Sequence, residues 1–215
     1  MSELDAGGSI KLKGDHHFQR IRVSGAISVD GSLEVDDEII VSGSFRVKGN
    51  IRANSVDVSG SATIDGDLKT RETRVKGSLK AGNIDSSFIE IYGSLSGREI
   101  RVEEAIISGS LRCDKLYASN RVIVSKNSKV YCRIVANRVE VGKKAEVDEI
   151  VAREVLVKRD AEVDEVKAER VVVEKGAEIS VLEYSGEAII DEKADVEIVR
   201  RIESIPELRE LERED

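Results

Sequence analysis

The chain of 215 residues has no tryptophan, one proline (Pro206), two cysteines, two histidines and seven aromatic residues. So few aromatics leave almost nothing on which bases or sugars would stack. Two histidines and two cysteines are too few for a zinc cluster unless carboxylates join them. A basic excess is missing too: 34 basic residues face 42 acidic ones, a formal net charge of −8. That argues against a non-specific nucleic-acid binder, which needs a basic surface to displace counterions. Long apolar runs are absent. Val155-Leu-Val157 and Val171-Val-Val173 are among the longest, far short of a bilayer span. Met1–Gly8 lacks the charged start and apolar stretch of a secretory signal. A soluble cytoplasmic protein without a cofactor is the expectation.

What is present is a repeat. Val23-Ser-Gly25-Ala-Ile27-Ser-Val29 returns as Val41-Ser-Gly43-Ser-Phe45-Arg-Val47 and as Val58-Ser-Gly60-Ser-Ala62-Thr-Ile64. Further copies start at Val75, Ile91, Ile107, Val124, Val141, Val157, Val173 and Ile190, in steps of 16 to 18 residues. Within a copy the apolar positions fall two, three or four apart, as in Val141, Ala145, Val147, Ile150, Ala152, Val155 and Val157. A spacing of two marks a strand with one face inward, and the wider gaps mark corners. Each copy therefore reads as three short strands and three corners, one coil of a β-solenoid. Coils stacked at the interstrand spacing of about 4.8 Å predict a rod roughly 50 Å long. The Glu-, Lys- and Val-rich stretch 146–175 does not hold the 3.5 or 3.6 period of a coiled coil, and valine is a poor helix former.

Glycine two residues after the copy start, at Gly25, Gly43, Gly60, Gly77, Gly93 and Gly109, predicts a corner that needs either positive φ or close backbone approach. From Lys126 onward that column becomes charged. Three residues further on, a column is read as Ser28, Arg46, Thr63, Lys80, Ser96, Arg112, Lys129, Glu146, Glu162, Glu178 and Asp195. In this frame Cys113 is a core residue and Cys132 falls at a corner, so the two do not stack. His16 and His17 are neighbours on a strand and point apart, which disfavours a shared metal. No nucleophile, phosphate loop or paired acid and base is recognisable, and no histidine follows residue 17. A solenoid acyltransferase, with its histidine base, is the least favoured reading.

The repeat resembles the bactofilins, the polymer-forming cytoskeletal proteins of prokaryotes. The resemblance is carried by the serial Val-Ser-Gly-Ser phrases, by Ile107-Ser-Gly-Ser-Leu-Arg-Cys113 and by Ile134-Val-Ala136-Asn-Arg-Val139-Glu-Val141. It covers roughly 20–198 and implies an all-β, single-stranded right-handed β-solenoid, here of about eleven coils of roughly 17 residues. Left-handed hexapeptide solenoids build each coil from three hexapeptides, and only one step in this chain is 18, which agrees with that hand. The family implies nucleotide-independent polymerisation end to end through terminal coils. It implies no enzyme activity and no small-molecule substrate. Its partners would be copies of itself and membrane-associated proteins, with a place in the cytoplasm at the inner face of the membrane. This chain departs from the family in its longer core, in a C-terminal helix that would block one end, and in an N-terminus without an apolar targeting stretch.

The expected division is a disordered tail over 1–9, a solenoid over 10–200 and a capping helix and tail over 201–215. Ser204-Ile-Pro206-Glu207 reads as a capping box with proline in the first turn, folded over the last coil to hide its open edge. The self-assembly interface is expected at Phe18, Ile21, Val23, Ile27 and Val29 on the first coil, and at Ile198 and Ile202 on the last. Charged substitution at Ile21 or Val23 is expected to abolish assembly without unwinding the coils. The rival reading is an adaptor or cell-division regulator that binds a protein partner along an apolar column. Tyr92, Tyr117 and Tyr131 are outward candidates for such a column but do not share one.

Overall fold

The computed structural model describes residues 3–212, without the side chains of Glu210 and Glu212. Strand makes up 72% of it, in a parallel β-solenoid of about 12 turns. The chain divides into two compact units, Met1–Arg101 and Val102–Asp215.

The first unit contains β1 (Glu3–Ala6), β2 (Ser9–Lys13), β3 (His16–Phe18), β4 (Arg20–Val23), β5 (Ala26–Asp30), β6 (Leu33–Val41), β7 (Ser44–Val47), β8 (Ile51–Val58), β9 (Ser61–Ile64), β10 (Leu68–Val75), β11 (Ser78–Lys80), β12 (Ile84–Ile91) and β13 (Ser94–Ser96). β14 (Glu99–Ile107) spans the division. Each coil presents three faces. Face one stacks Ile21–Val23 under Ile39–Val41, Val56–Val58, Thr73–Val75 and Ile89–Ile91. Face two stacks β2, β5, β7, β9, β11 and β13. Face three stacks β3 with the first halves of β6 and β8.

The period-two residues fill the interior. Ile21, Ile39, Leu68, Ile84, Ile89 and Ile91 are fully buried. One polar island interrupts them: Thr70, Thr73 and Ser86 are buried, and the Thr70 hydroxyl bonds both Thr73, at 2.7 Å, and Ser86, at 3.0 Å. The Ser86 hydroxyl also donates to the Phe88 carbonyl at 3.0 Å, so the island satisfies itself.

Two ladders hold the corners of this unit. At Gly43, Gly60, Gly77 and Gly93 an added Cβ would lie 2.0 to 2.1 Å from the carbonyl oxygen of the glycine one coil below. Close backbone approach, and not positive φ, is what this column needs; in the whole described chain only Gly14 and Gly176 are glycines with positive φ. At the next corner a side-chain oxygen of each coil accepts a backbone N–H from the following one. Asp15 Oδ1 takes Ser32 N at 2.7 Å, Ser32 Oγ takes Asn50 N at 3.1 Å, Asn50 Oδ1 takes Asp67 N at 2.9 Å, and Asp67 Oδ1 takes Asn83 N at 2.9 Å. Nothing in the repeat phrase signalled this ladder, because its members differ in residue type.

The second unit contains β15 (Ser110–Val124), β16 (Lys129–Val141), β17 (Glu146–Val157), β18 (Glu162–Val173), β19 (Glu178–Ile190), β20 (Asp195–Arg201) and a 3-10 turn (Pro206–Glu212). The coil period is kept but its corners are re-cut. Ser110 pairs with Lys129, whereas Lys115 pairs with Arg133 and Arg121 with Arg138. One corner has gained two residues and the other two have each lost one. Two sequence expectations change as a result. Arg112 stacks on Tyr131, and it is Ser110 that stacks on Lys129, Glu146, Glu162, Glu178 and Asp195. Cys113 lies against Cys132, both buried and free. A hydrogen bond to Cys132, together with burial, pushes the Cys113 thiol well above its ordinary range, so Cys113 is an inert core thiol.

The re-cut corners replace the glycine column by a turn with one residue in the left-handed region: Asn127 at φ 59°, Lys144 at 57°, Asp160 at 59° and Gly176 at 69°. Backbone bonds Ser128 N to Ser125 O, Ala145 N to Gly142 O and Ala161 N to Lys158 O close these turns. Left-handed φ costs a non-glycine residue roughly 1–2 kcal/mol, and asparagine and aspartate tolerate it better than lysine does. Lys144 is exposed, so Lys144→Gly relieves strain without removing a contact. Set against the extra entropy of the unfolded chain, a net gain of about 0.5 kcal/mol is expected, or a Tm rise of about 1–2 °C. A lower Tm for the variant would contradict this account of the corner.

Candidate self-assembly surfaces

At the N-terminal end the outermost layer of the described residues is β1, β2 and β3. Residues 3–6, expected to be disordered, pair in register with β4, and residues 9–13 pair with β5. Gly7 and Gly8 are the corner between two strands; the alternation Leu4-Asp-Ala6 and Ile10-Lys-Leu12 was the signal that they obscured. Met1 and Ser2 lie outside the described residues.

This layer covers four of the residues expected at the interface. Leu4 covers Ile21, Ala6 covers Val23, Ile10 covers Ile27 and Leu12 covers Val29. Ile21, Val23, Ile27 and Val29 are all buried, so a charge at Ile21 or Val23 attacks the core itself. Phe18 is half-buried on β3, with its ring 5.9 Å from that of His16. The half-buried apolar side chains of the outer layer are Leu4, Ile10, Leu12 and the expected Phe18, which covers Val35. His17, on the same strand as His16, bonds Asp36 at 2.8 Å, and that bond raises its pKa. Among the described residues, no three His, Cys, Asp or Glu are grouped to hold a metal.

At the C-terminal end β20 pairs only along Glu178–Tyr184 of β19. Ile198 is 39% exposed, Val199 47% and Ile189 47%. Val199 and Ile189 were not singled out from the sequence.

The tail does not lie across this end. Its 3-10 turn packs on β15, β16 and β17, on the outer side of the stack Lys115–Ala118, Arg133–Ala136 and Glu149–Ala152. Ile205 and Leu208 are buried there against Val135 and Val151, with Tyr117, Ile202 and Leu211 around them. Ile202, expected at the end interface, belongs to this flank cluster. The outward column is Tyr117, Val135 and Val151, and it turns charged at Lys167 and Glu183. That switch of chemistry marks where the tail fits. Glu207 reaches Arg133 at 3.5 Å and Lys167 at 3.8 Å. A hydrogen bond to Glu165, with the charges of Glu165, Glu183 and Glu207, raises the Lys167 pKa against the opposing effect of burial. The expected capping box is thus a side strap, and its glutamate pairs across to the flank. Residues 213–215 of the expected helix lie outside the described residues.

No helix among the described residues is long and apolar enough to cross a membrane. No curated protein and no solved structure matches the chain. A family model does: residues 61–149, from β9 into β17, match the bactofilins, described as polymer-forming and cytoskeletal.

Proposed function

We propose that the protein is a structural element that associates end to end through its terminal coils, without nucleotide, and serves as a cytoskeletal scaffold in the cytoplasm. The observation that carries this reading is the bare C-terminal coil. Ile189, Ile198 and Val199 are exposed on it, and the tail that would have masked it lies on a flank instead. An open coil offers unpaired N–H and C=O groups beside a section of apolar core, which favours strand addition by another chain. Burial of Leu4, Ile10 and Leu12 at one end and of Ile198 and Val199 at the other supplies the free energy, so no nucleotide is needed. The polymer-forming description of the matched family supports the same reading.

The test is light scattering and electron microscopy of the full chain in nucleotide-free buffer. Wild type is expected to form end-to-end oligomers or filaments. Ile198→Asp and Leu12→Asp, each on an outer layer, are expected to weaken association at least about tenfold, the cost of burying one unpaired charge, with the β-rich circular dichroism unchanged. Wild type that stays monomeric at high concentration, or end variants that assemble normally, would overturn the proposal.

A further inference from the structure

Each unit has a stack of strands that ends at the copy starts, called face one in both (Arg121–Val124, Arg138–Val141, Glu154–Val157 and Arg170–Val173 in the second), and its central outward column differs in character between them. In the first it reads Arg22, Ile40, Asp57, Arg74 and Glu90. The charged members there are paired: Arg22 with Glu38 at 3.8 Å, Asp57 with Lys76 at 3.5 Å and Arg74 with Glu90 at 3.5 Å. In the second it reads Ile123, Glu140, Leu156, Val172 and Ile189. These side chains point away from a core that already holds Val155, Val157, Val171 and Val173. A solvated face gains nothing from leucine, valine and isoleucine at consecutive coils, so the strip is better explained as a contact surface. Its one charge, Glu140, is held aside by Lys158.

Beside the strip runs a second column: Arg121, Arg138, Glu154, Arg170 and Glu187. Arg121 is taken up by Glu104 at 3.1 Å, and from Arg138 onward the signs alternate. Arg138 Nε bonds Glu154 at 2.9 Å and Arg170 Nε lies 3.1 Å from Glu187, all four well exposed. An alternating column read backwards is its own complement. A two-fold axis along the strands, between the Glu154 and Arg170 coils, lays the strip on the same strip of a second copy running the other way. Arg138 then faces Glu187 of the second copy, and Glu154 faces its Arg170. Each of these charge pairings is favourable, as an isologous contact requires, and in the strip Leu156 meets Val172 while Glu140, held by Lys158, meets Ile189. From Arg138 to Glu187 the column carries no net charge, which disfavours an anionic membrane as the occupant.

We propose that face one of the second unit, centred on Leu156 and Val172, is a side-to-side contact between antiparallel copies of this chain. It shares Ile189 with the C-terminal end surface, but its centre at Leu156 and Val172 lies away from both ends, and it stands or falls on those residues. Four coils by one short strand measure roughly 14 by 13 Å, far less than the ~800 Å² per partner of a stable dimer. A single pair is therefore weak. Copies joined end to end would add such contacts together and bind laterally with much higher avidity.

Sedimentation equilibrium of the full chain, taken to millimolar concentration, tests this. Val172→Asp is expected to weaken self-association about tenfold with unchanged circular dichroism. Arg138→Glu alone weakens it by a few-fold, and Arg138→Glu/Glu187→Arg restores it to within about twofold. Arg138 and Glu187 stand three coils apart, roughly 14 Å, so they cannot compensate within one copy. Arg138 lies at neither end; Glu187 stands on the stretch of β19 that β20 leaves uncovered, so Glu187→Arg alone is the control, and it must weaken association as Arg138→Glu does. A double variant no better than Arg138→Glu, or a Val172→Asp protein that associates like wild type, overturns the proposal. So does a strip whose loss abolishes flotation with anionic phosphatidylserine vesicles but leaves self-association intact.

Discussion

Gly77→Ala is expected to lower the melting temperature by about 10 °C or more, a loss on the order of 3–5 kcal/mol. One added methyl does this because nothing near it can yield. The new Cβ would lie 2.0 Å from Gly60 O, 2.4 Å from Ser59 O and 2.7 Å from Ser59 C, all backbone. The same stretch of chain is tied from both sides: Gly77 N bonds Val58 O at 2.9 Å and Ser78 N bonds Gly60 O at 2.9 Å. Relief requires the coils to part, which breaks those bonds and opens the packing around Leu79 and Val75. The loss is comparable with the whole stability of an ordinary domain. Gly97→Ala is the control. Its nearest atom would be Gly82 O at 3.2 Å and the next are side-chain carbons at 3.6 Å, so a change below about 1 kcal/mol is expected. Thermal melts of the two variants that coincide would refute the close-approach account of the column.

Removal of residues 204–215 is expected to cost about 2–4 kcal/mol, the range for losing two buried leucine-sized side chains from a surface cluster. It should also make the particles sticky without making them longer. The segment buries Ile205 and Leu208 against Val135 and Val151, and its loss bares a continuous apolar strip with Tyr117 at one end. Dye binding to apolar surface should rise and non-specific association should follow. Leu208→Asp is the milder version, since a carboxylate at that place has no partner among Tyr117, Val135 and Val151. An end cap predicts the opposite pair of results: longer assemblies and no new dye binding. Electron micrographs and dye fluorescence of the truncated chain therefore separate the two roles, and longer particles with a silent dye would overturn the side-strap assignment.

The coil and its period were legible because they are written in one currency, apolar residues at spacing two. Val141, Val147, Ile150 and Val155 turn inward as that pattern requires. The corners were less legible. Between Ile107 and Val124 the step stays at 17 residues while the residues are redistributed among three corners, and a period count is blind to that exchange. The error it produced was a slip of two places after the phrase start, enough to separate Cys113 from Cys132. The outer layer at Leu4 and Ile10 was hidden by two glycines that mark a corner as readily as a flexible tail. The place of the tail could not be read from residues 204–212 alone. Its address is written 50 to 90 residues away, in the run from Tyr117 through Val135 to Val151 followed by Lys167. A rule that scans each outward column for a change from apolar to charged would have found it.

The two corner designs differ in what they allow descent to do with them. Where carbonyl oxygens press on glycine, every coil is hostage to the one beneath it, and a corner tolerates neither a side chain nor an inserted residue. Where a left-handed asparagine, lysine or aspartate makes the turn, the side chain already points to solvent and the strands on either side are closed by their own short bond. Such corners are places of growth. Loops, binding peptides or whole modules introduced after Lys126, Lys143 or Arg159 should be carried at the coil spacing of about 4.8 Å, which makes the second unit a ready frame for displaying sequence in ordered rows.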